Sequence, residues 1–194
     1  MSQVSIDRLI VAANSGHLVS FPTDTLPALA TLPAHAGLIF AAKQRSQDKP
    51  LILMLGDIDD LWQFTHGSKE EIEIWKAIAS QYLPGALTLV LPGSDLIPPV
   101  MNPLGNKTIG LRVPDCEIAR SILRQTGALA TTSANLSGEP ALLTMAEISN
   151  KFPDVFALDR DLNIPTIGQP STVIEWKNNT WTILRQGAVK FVNS

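Results

Sequence analysis

Two hydrophobic patterns alternate along this chain. In residues 6–13, apolar side chains recur every three or four positions, which is the spacing of one helix face. A capping Ser5 and a terminating Gly16 bound this predicted helix. Short apolar runs at 17–21 and 51–55 are typical of buried strands, and a second helix is predicted over 34–43. The first part of the chain therefore predicts strands and helices in alternation.

The rest of the chain continues this alternation. Two capping boxes, Ser68 with Glu71 and Thr144 with Glu147, predict helix starts, and Asp115 is a candidate cap for a helix that runs to about residue 126. Residues 96–107 are rich in Pro, Asn and Gly and predict a loop. The remaining apolar runs predict strands over 86–91, 108–113, 128–132, 155–158, 171–176 and 180–184.

These elements predict a single α/β domain over residues 1–194, with helices packed on a central sheet. The last two predicted strands form a hairpin around residues 177–179, so we expect a mixed sheet. The sequence contains no internal repeat, low-complexity tract or linker-like stretch that would divide the chain.

Composition narrows the class of protein. Hydrophobic residues make up 45% and charged residues 17%, which is typical of a globular protein. The net charge of -3 argues against nucleic-acid binding by the whole surface but leaves a local basic patch open. The single Cys116 excludes an internal disulfide, and its place early in a helix favours a buried packing role.

The start of the chain has no basic segment followed by a long apolar core, so we expect no signal peptide. No stretch approaches the roughly 18 apolar residues of a membrane span. We therefore expect a cytoplasmic protein with no membrane contact.

A polar stretch, Pro-Thr-Asp-Thr at 22–25, follows the predicted strand 17–21. The ends of strands are where open α/β sheets place their ligands, and the hydroxyls of Thr23 and Thr25 share a direction if the segment is extended. A turn in which Asp24 or a threonine bonds its own backbone explains the same residues. Both interpretations stay open at this point.

Three cations, Lys43, Arg45 and Lys49, lie close together at the end of a predicted helix. An arginine fork beside a lysine point charge suits phosphate binding, and Lys43 and Arg45 share a face if the backbone is extended. A solvated basic loop favoured by the helix dipole is the alternative.

A second polar loop, residues 131–138, follows a predicted strand. Ser133 and Asn135 offer a hydroxyl and an amide to an anion or a nucleotide, although a capped turn would use the same residues. Further polar residues lie at strand ends, namely Arg112, Ser171, Thr172 and Arg185. The signatures of a P-loop, a Rossmann dinucleotide site, a zinc protease helix and a hydrolase nucleophile elbow are absent from the sequence.

The order of these motifs resembles the YrdC-like family of threonylcarbamoyl-AMP synthases. The motifs are PTDT, KQR with a following KP, PGALTLVL, GLRVP, TTSANLSG, STV and LRQGA. The resemblance runs from about residue 8 to about residue 188. The K-x-R and S-x-N pairing, here Lys43–Arg45 and Ser133–Asn135, is the hallmark of the family.

The resemblance implies a twisted, mixed α/β sheet with flanking helices that enclose a concave, locally positive cavity. It implies a reaction that joins L-threonine, bicarbonate and ATP into threonylcarbamoyl-adenylate and releases pyrophosphate, with Mg²⁺ held through the phosphates. A downstream threonylcarbamoyl transferase complex would pass the group to tRNA, and direct tRNA contact by this chain stays open. Longer relatives carry a second C-terminal domain, which we expect this chain to lack.

The resemblance also implies residue roles. Phosphate charge would be balanced by Lys43, Arg45 and Lys49, and Ser133 and Asn135 would hold the nucleotide phosphate. The nucleotide side would be lined by Arg112 and Arg185 together with Ser171 and Thr172. Thr23 and Thr25 would face the threonine substrate.

The chain departs from the family pattern at three places. The family's tyrosine, glycine and leucine after PTDT are replaced by Pro27, Ala28 and Leu29, and Met54 stands where many relatives carry a histidine. The stretch ALLT at 141–144 replaces a segment of small residues, proline and threonines. Two alternative functions follow: a non-catalytic protein that binds double-stranded RNA or a nucleotide, and a diverged enzyme that acts on another small acid.

Overall fold

The chain folds around one mixed sheet. A computed structural model describes residues 3–46, 49–159 and 166–192. Its strands are β1 (Gln3–Val4), β2 (Val19–Phe21), β3 (Ala28–Thr31), β4 (Ile52–Met54), β5 (Leu87–Pro92), β6 (Thr108–Arg112), β7 (Leu129–Ser133), β8 (Phe156–Leu158), β9 (Thr172–Lys177) and β10 (Thr180–Arg185). Its helices are α1 (Ile6–Asn14), α2 (Gly37–Lys43), α3 (Lys69–Tyr82), α4 (Glu117–Thr126) and α5 (Met145–Lys151).

The strands stand in the order β1-β8-β2-β3-β7-β4-β6-β5-β9-β10. The pairs β1–β8, β8–β2, β4–β6 and β5–β9 are parallel, and the other neighbours are antiparallel. The predicted mixed α/β sheet is confirmed. Antiparallel pairing extends well beyond the predicted hairpin, whose turn residues Asn178 and Asn179 both adopt positive φ.

Both predicted capping boxes are present. The Ser68 hydroxyl accepts a hydrogen bond from the Glu71 backbone N–H at 3.2 Å, and the Glu71 carboxylate accepts one from the Ser68 N–H at 2.9 Å. Thr144 and Glu147 form the same reciprocal pair at the start of α5. Glu71 also accepts a hydrogen bond from the Trp176 indole at 3.0 Å, so the cap ties α3 to β9.

Three local predictions need correction. Helix α4 is capped by Cys116 rather than Asp115, because the Cys116 carbonyl accepts the first helical bond from Arg120. The helix predicted from residue 34 begins at Gly37, after a 3₁₀ turn over Pro33–His35. The predicted loop 96–107 contains a short 3₁₀ turn at Pro99–Met101.

Strand β3 was not predicted from the sequence. Its four residues are all buried, so the segment lacks the alternation of a half-exposed strand. It lies between β2 and β7 and pairs antiparallel with both.

Apolar side chains from the helices and the sheet form a continuous core that includes Leu9, Phe21, Leu29 and Trp75. Cys116 is buried as predicted, and burial raises the pKa of its thiol. No helix in the described part of the chain is long and apolar enough to cross a membrane.

Candidate functional site

A cavity of about 620 Å³ lies against one face of the sheet. Side chains alternate between the two faces of a strand, so every second residue reaches the cavity. Strand β6 contributes Thr108, Gly110 and Arg112, and β9 contributes Val173, Glu175 and Lys177. Strands of the sheet therefore form the floor of the cavity, and residues of the adjoining loops complete its lining.

The structure brings six of the predicted site residues into the lining of this cavity, namely Thr25, Arg45, Arg112, Ser133, Ser171 and Arg185. Five others lie behind or beside it, namely Thr23, Lys43, Lys49, Asn135 and Thr172. All of these residues belong to the described part of the chain. The roles predicted for them toward ATP and threonine stay predictions.

Arg112 is held at the end of β6 by three hydrogen bonds. Its Nη2 atom lies 2.6 Å from Asp24 Oδ1, its Nη1 donates to Thr25 Oγ1 at 2.8 Å, and its Nε donates to the Gly85 carbonyl at 3.1 Å. The side chains of Arg112 and Asp24 are only 5% and 8% exposed, so this is a buried ion pair. Burial lowers the pKa of the Arg112 guanidinium, and the Asp24 carboxylate opposes that shift.

Residues 22–25 form a side-chain turn and also contribute Thr25 to the cavity, so features of both interpretations are present. Thr23 Oγ1 donates to the Leu26 carbonyl at 2.7 Å and accepts from the Thr25 N–H at 3.1 Å, which is a side-chain turn. The two threonine hydroxyls lie 3.2 Å apart. Thr25 faces the cavity, whereas the Thr23 hydroxyl closes the turn behind it.

Pro27 joins this turn to the sheet. Its carbonyl accepts a hydrogen bond from the Ala134 N–H at 2.9 Å, and the next residue, Ala28, pairs with Ser133 as β3 begins. A proline fits the position directly before the strand, because the hydrogen bond made there uses only the carbonyl, which proline has, and not the N–H, which it lacks. The departure at Pro27, Ala28 and Leu29 therefore belongs to a strand entry, and Leu26 is the residue of this segment that lines the cavity.

Lys43 ends α2 and is buried, with 1% of its surface exposed. Its Nζ donates to the Ser133 carbonyl and, at 3.1 Å, to Asn135 Oδ1. No described carboxylate forms an ion pair with it. Burial, together with a smaller contribution from the nearby charge of Arg45, lowers the pKa of Lys43 to about 7. Its two neutral acceptors suit an amine that is close to losing its charge.

The backbone between Lys43 and Arg45 is not extended, so the condition under which the two would share a face is not met. Lys43 is helical, and Gln44 between them is left-handed with φ of 48°. Arg45 instead lines the cavity and holds the following loop, donating to the Lys49 carbonyl at 3.1 Å and the Pro50 carbonyl at 3.2 Å. The Lys49 residue is exposed outside the cavity lining.

Asn135 organises the loop after β7. Its Oδ1 accepts from Lys43 and from the Ser133 hydroxyl, the latter at 2.7 Å, while its Nδ2 donates to the Leu136 and Glu139 carbonyls. The K-x-R and S-x-N motifs are thus in contact, and the contact between their side chains is the hydrogen bond from Lys43 to Asn135. Arg45 and Ser133 are the members that face the cavity.

On the side of the cavity formed by β9 and β10, Arg185 holds Ser171 in place. Its guanidinium donates to the Ser171 carbonyl at 2.9 Å and 3.2 Å, and the Ser171 hydroxyl lies 2.8 Å from Thr88 Oγ1. Burial lowers the pKa of Arg185. Thr172 points away from the cavity: its hydroxyl donates to the Val189 carbonyl at 2.5 Å and accepts from the Gly187 N–H.

Several residues of the site were missed from the sequence. Asp24 was considered only as a turn residue, whereas the structure shows that it binds Arg112. Lys107, Glu175 and Lys177 line the cavity without belonging to any recognised motif. The alternation of β9 could have indicated Glu175 and Lys177 once Ser171 was placed. In the described residues, no cluster of His, Cys, Asp and Glu could hold a metal ion by itself.

Comparison with known proteins places these features in context. The Sua5/YciO/YrdC family model, described as telomere recombination, matches residues 11–187. The threonylcarbamoyl-AMP synthase of Bacillus subtilis is 32% identical over 177 residues, covering 89% of this chain and 50% of the relative. The chain thus spans about half the length of the first curated relatives that it matches.

Two solved structures share the fold. Sua5 of Pyrococcus abyssi, crystallised with L-threonine, has a TM-score of 0.80 and 30% identity, covering 95% of this chain and 55% of that one. YciO of Escherichia coli has a TM-score of 0.80 at 23% identity, covering 95% of this chain and 90% of that one. The twisted mixed sheet with flanking helices is common to these proteins.

The ion pair at Arg112 yields a stability prediction. Asp24→Asn leaves the buried guanidinium without its countercharge, so we expect a loss of about 3 kcal/mol in the free energy of unfolding. Urea titration of the wild type and of Asp24→Asn measures this difference in the free energy of unfolding. The matched control is Asp57→Asn, whose half-exposed side chain pairs with Arg124 and Arg120. That control should lose about 1 kcal/mol or less. Equal losses in the two variants would contradict the assignment.

The buried Lys43 yields a pH prediction. Its folded pKa of about 7 lies below its unfolded value, so the unfolded chain binds more protons between about pH 7 and about pH 10. This group therefore makes wild-type stability rise with pH in that window, and the gain is lost as pH falls toward 7.

Lys43→Met removes that dependence. Unfolding measured at about pH 6 and about pH 9 should show the variant's stability relative to wild type falling as pH rises. Lys69→Met, at an exposed position, is the control and should show a constant difference. A constant difference for Lys43→Met as well would refute the low pKa.

Proposed function

The chain belongs to the Sua5/YciO/YrdC family, and we propose that it is a threonylcarbamoyl-AMP synthase. The reaction would form L-threonylcarbamoyladenylate from L-threonine, bicarbonate and ATP and release pyrophosphate, which makes the enzyme a nucleotidyltransferase. The observation that carries the proposal is the convergence of Arg45, Arg112 and Arg185 with Ser133 and Thr25 on one cavity. The name of the Bacillus subtilis relative and the threonine bound to Pyrococcus abyssi Sua5 support it.

The cavity suits the anions of this reaction. The amine of threonine captures carbon dioxide or bicarbonate, and a carbamate oxygen then attacks the α-phosphate while pyrophosphate leaves. Such a step depends mainly on positioning and on stabilising developing charge. Arg45 and Ser133 would hold phosphate oxygens on the β7 side. Arg112 already satisfies Asp24, Thr25 and Gly85, and its remaining Nη hydrogens would bind a substrate anion.

Lys43 and Asn135 would act from behind the cavity. The hydrogen bonds of Lys43 to Asn135 and to the Ser133 carbonyl fix the backbone that presents Ser133. A phosphate bound beside Ser133 would favour the protonated, charged form of the Lys43 amine. Thr25 would contact the threonine substrate, supported by the turn that Thr23 closes. A Mg²⁺ ion would accompany ATP through the phosphates and water, since that ion keeps several waters in most nucleotide sites.

The product would serve tRNA modification. A mixed anhydride of a carbamate and AMP is an activated acyl donor, so a downstream transferase complex that acts on tRNA would consume it. We place the reaction in the cytoplasm, where ATP and tRNA meet. Direct tRNA contact is not required by this scheme.

A diverged enzyme for another small acid is the second candidate. Leu26 and Met54 give the cavity an apolar wall where many family members carry a histidine in place of Met54. An acid with a different side chain could be selected by that wall. Replacing threonine by serine, valine and other amino acids in the assay below separates the two candidates, since the second predicts release with an acid other than threonine.

The test is pyrophosphate release from ATP and bicarbonate, with and without L-threonine. We expect threonine-dependent release, and we expect Lys43→Ala and Arg45→Ala each to lower the rate by about 10²-fold or more. Lys151→Ala, at an exposed position on α5, is the control and should keep the rate. Unchanged turnover in both Lys43→Ala and Arg45→Ala would contradict the site assignment. ATP or double-stranded RNA binding without any release would favour the non-catalytic alternative.

A further inference from the structure

Glu175 is the acidic member of a basic cavity. Among the described lining residues, five are cations and Glu175 alone is an acid; the cations are Arg45, Lys107, Arg112, Lys177 and Arg185. The Glu175 side chain is half-buried, and it makes no hydrogen bond or ion pair with any described residue. A carboxylate held on a central face of the sheet without a protein partner is available to a ligand.

The position of Glu175 follows from the strand register. Thr131, Ile52, Gly110, Val90 and Glu175 are directly paired neighbours on β7, β4, β6, β5 and β9. They form one row across the cavity floor. Four interstrand spacings separate the ends of the row, which is about 19 Å measured along the sheet. Glu175 therefore lies at the far end of the cavity from the β7 side, where Ser133 and Arg45 lie.

The middle of this row has no side chain. Gly110 lies between Ile52 and Val90, and a Cβ atom there would come within 3.3 Å of Thr88 Cγ2 and 3.4 Å of Ile52 Cγ1. A glycine in the interior of a strand often marks a close approach by a ligand. Gly110 lines the cavity and adds no side chain of its own to the floor, which is formed there by the side chains of Thr88 and Ile52.

Charge decides which end of a nucleotide lies at Glu175. Lys177 and Arg185 also lie on the β9 side, but the Glu175 carboxylate repels phosphates close to it, so we place the triphosphate with Arg45 and Ser133, at the end where no described lining residue is an acid. The part of the nucleotide that reaches β9 must donate hydrogen bonds, and the two oxygens of a carboxylate match the vicinal hydroxyls of a ribose. Acidic side chains bind ribose hydroxyls in this way in dinucleotide sites.

We propose that Glu175 accepts hydrogen bonds from the ribose hydroxyls of the nucleotide and thereby selects ribonucleotides over deoxyribonucleotides. This inference rests on the proposed function only in taking the cavity as a nucleoside triphosphate site. It makes Glu175 a specificity-determining residue with no part in the chemical step.

The experiment measures binding by calorimetry for ATP, 2′-deoxy-ATP and inorganic tripolyphosphate, with no threonine or bicarbonate present. Wild type should bind ATP about tenfold more tightly than 2′-deoxy-ATP, as expected for one hydrogen bond to a charged group. In Glu175→Ala the preference for ATP over 2′-deoxy-ATP should be lost, and the ATP affinity should fall at least to the value that wild type shows for 2′-deoxy-ATP. Glu175→Gln, which keeps the shape, should lie between the two.

Tripolyphosphate separates recognition from general electrostatics. Removing a negative charge from a basic cavity strengthens anion binding, so tripolyphosphate should bind Glu175→Ala as tightly as wild type or more tightly. The control is Glu73→Gln on the exposed face of α3, which removes the same charge away from the cavity and should keep the wild-type ATP preference.

An unchanged preference for ATP in Glu175→Ala would overturn the proposal, as would a wild type that binds no ATP. Pyrophosphate release by the same samples keeps the two proposals apart. Threonine-dependent release with an unchanged preference would remove the role of Glu175 and keep the synthase. A Glu175-dependent preference without release would keep the role of Glu175 and remove the synthase.

Discussion

The buried ion pair between Asp24 and Arg112 is the interaction on which the cavity depends. Strands β2 and β6 stand four places apart in the sheet, yet the turn after β2 brings Asp24 within 2.6 Å of Arg112. The twist of the sheet and the reach of this turn are both needed for that contact. The pair fixes a guanidinium at the cavity and holds Thr25 beside it, so one contact sets the position of two residues that face the cavity.

Two buried cations, Arg112 and Lys43, show different ways of keeping positive charge near the cavity. Arg112 has a carboxylate partner and stays charged, because guanidinium loses its proton only at very high pH. Lys43 has neutral acceptors, and burial brings its pKa to about 7. The first gives a permanent charge at the cavity, and the second gives a charge that a bound phosphate would stabilise. Both arrangements cost folding stability and serve the proposed chemistry.

Local sequence signals predicted local structure well. The two capping boxes and the final hairpin follow from residues within four positions of one another, and each is present. Strand β3 was missed because burial on both faces removes its periodicity. The partners of Lys43 lie on a loop about 90 residues further along the chain, so no local pattern shows that its amine is already bound. Glu175 was missed because its place in the cavity depends on which strands lie beside β9, and that order is set by the whole fold.

The central claim is that one cavity joins a carbamate of threonine to the adenylate of ATP. Mass spectrometry of the product formed from ATP, L-threonine and ¹³C-bicarbonate tests it most directly. The account predicts an adenylate that carries the threonine and the ¹³C label, formed only when all three substrates are present. A labelled product that lacks threonine, or no adenylate from a protein that still binds ATP, would contradict it.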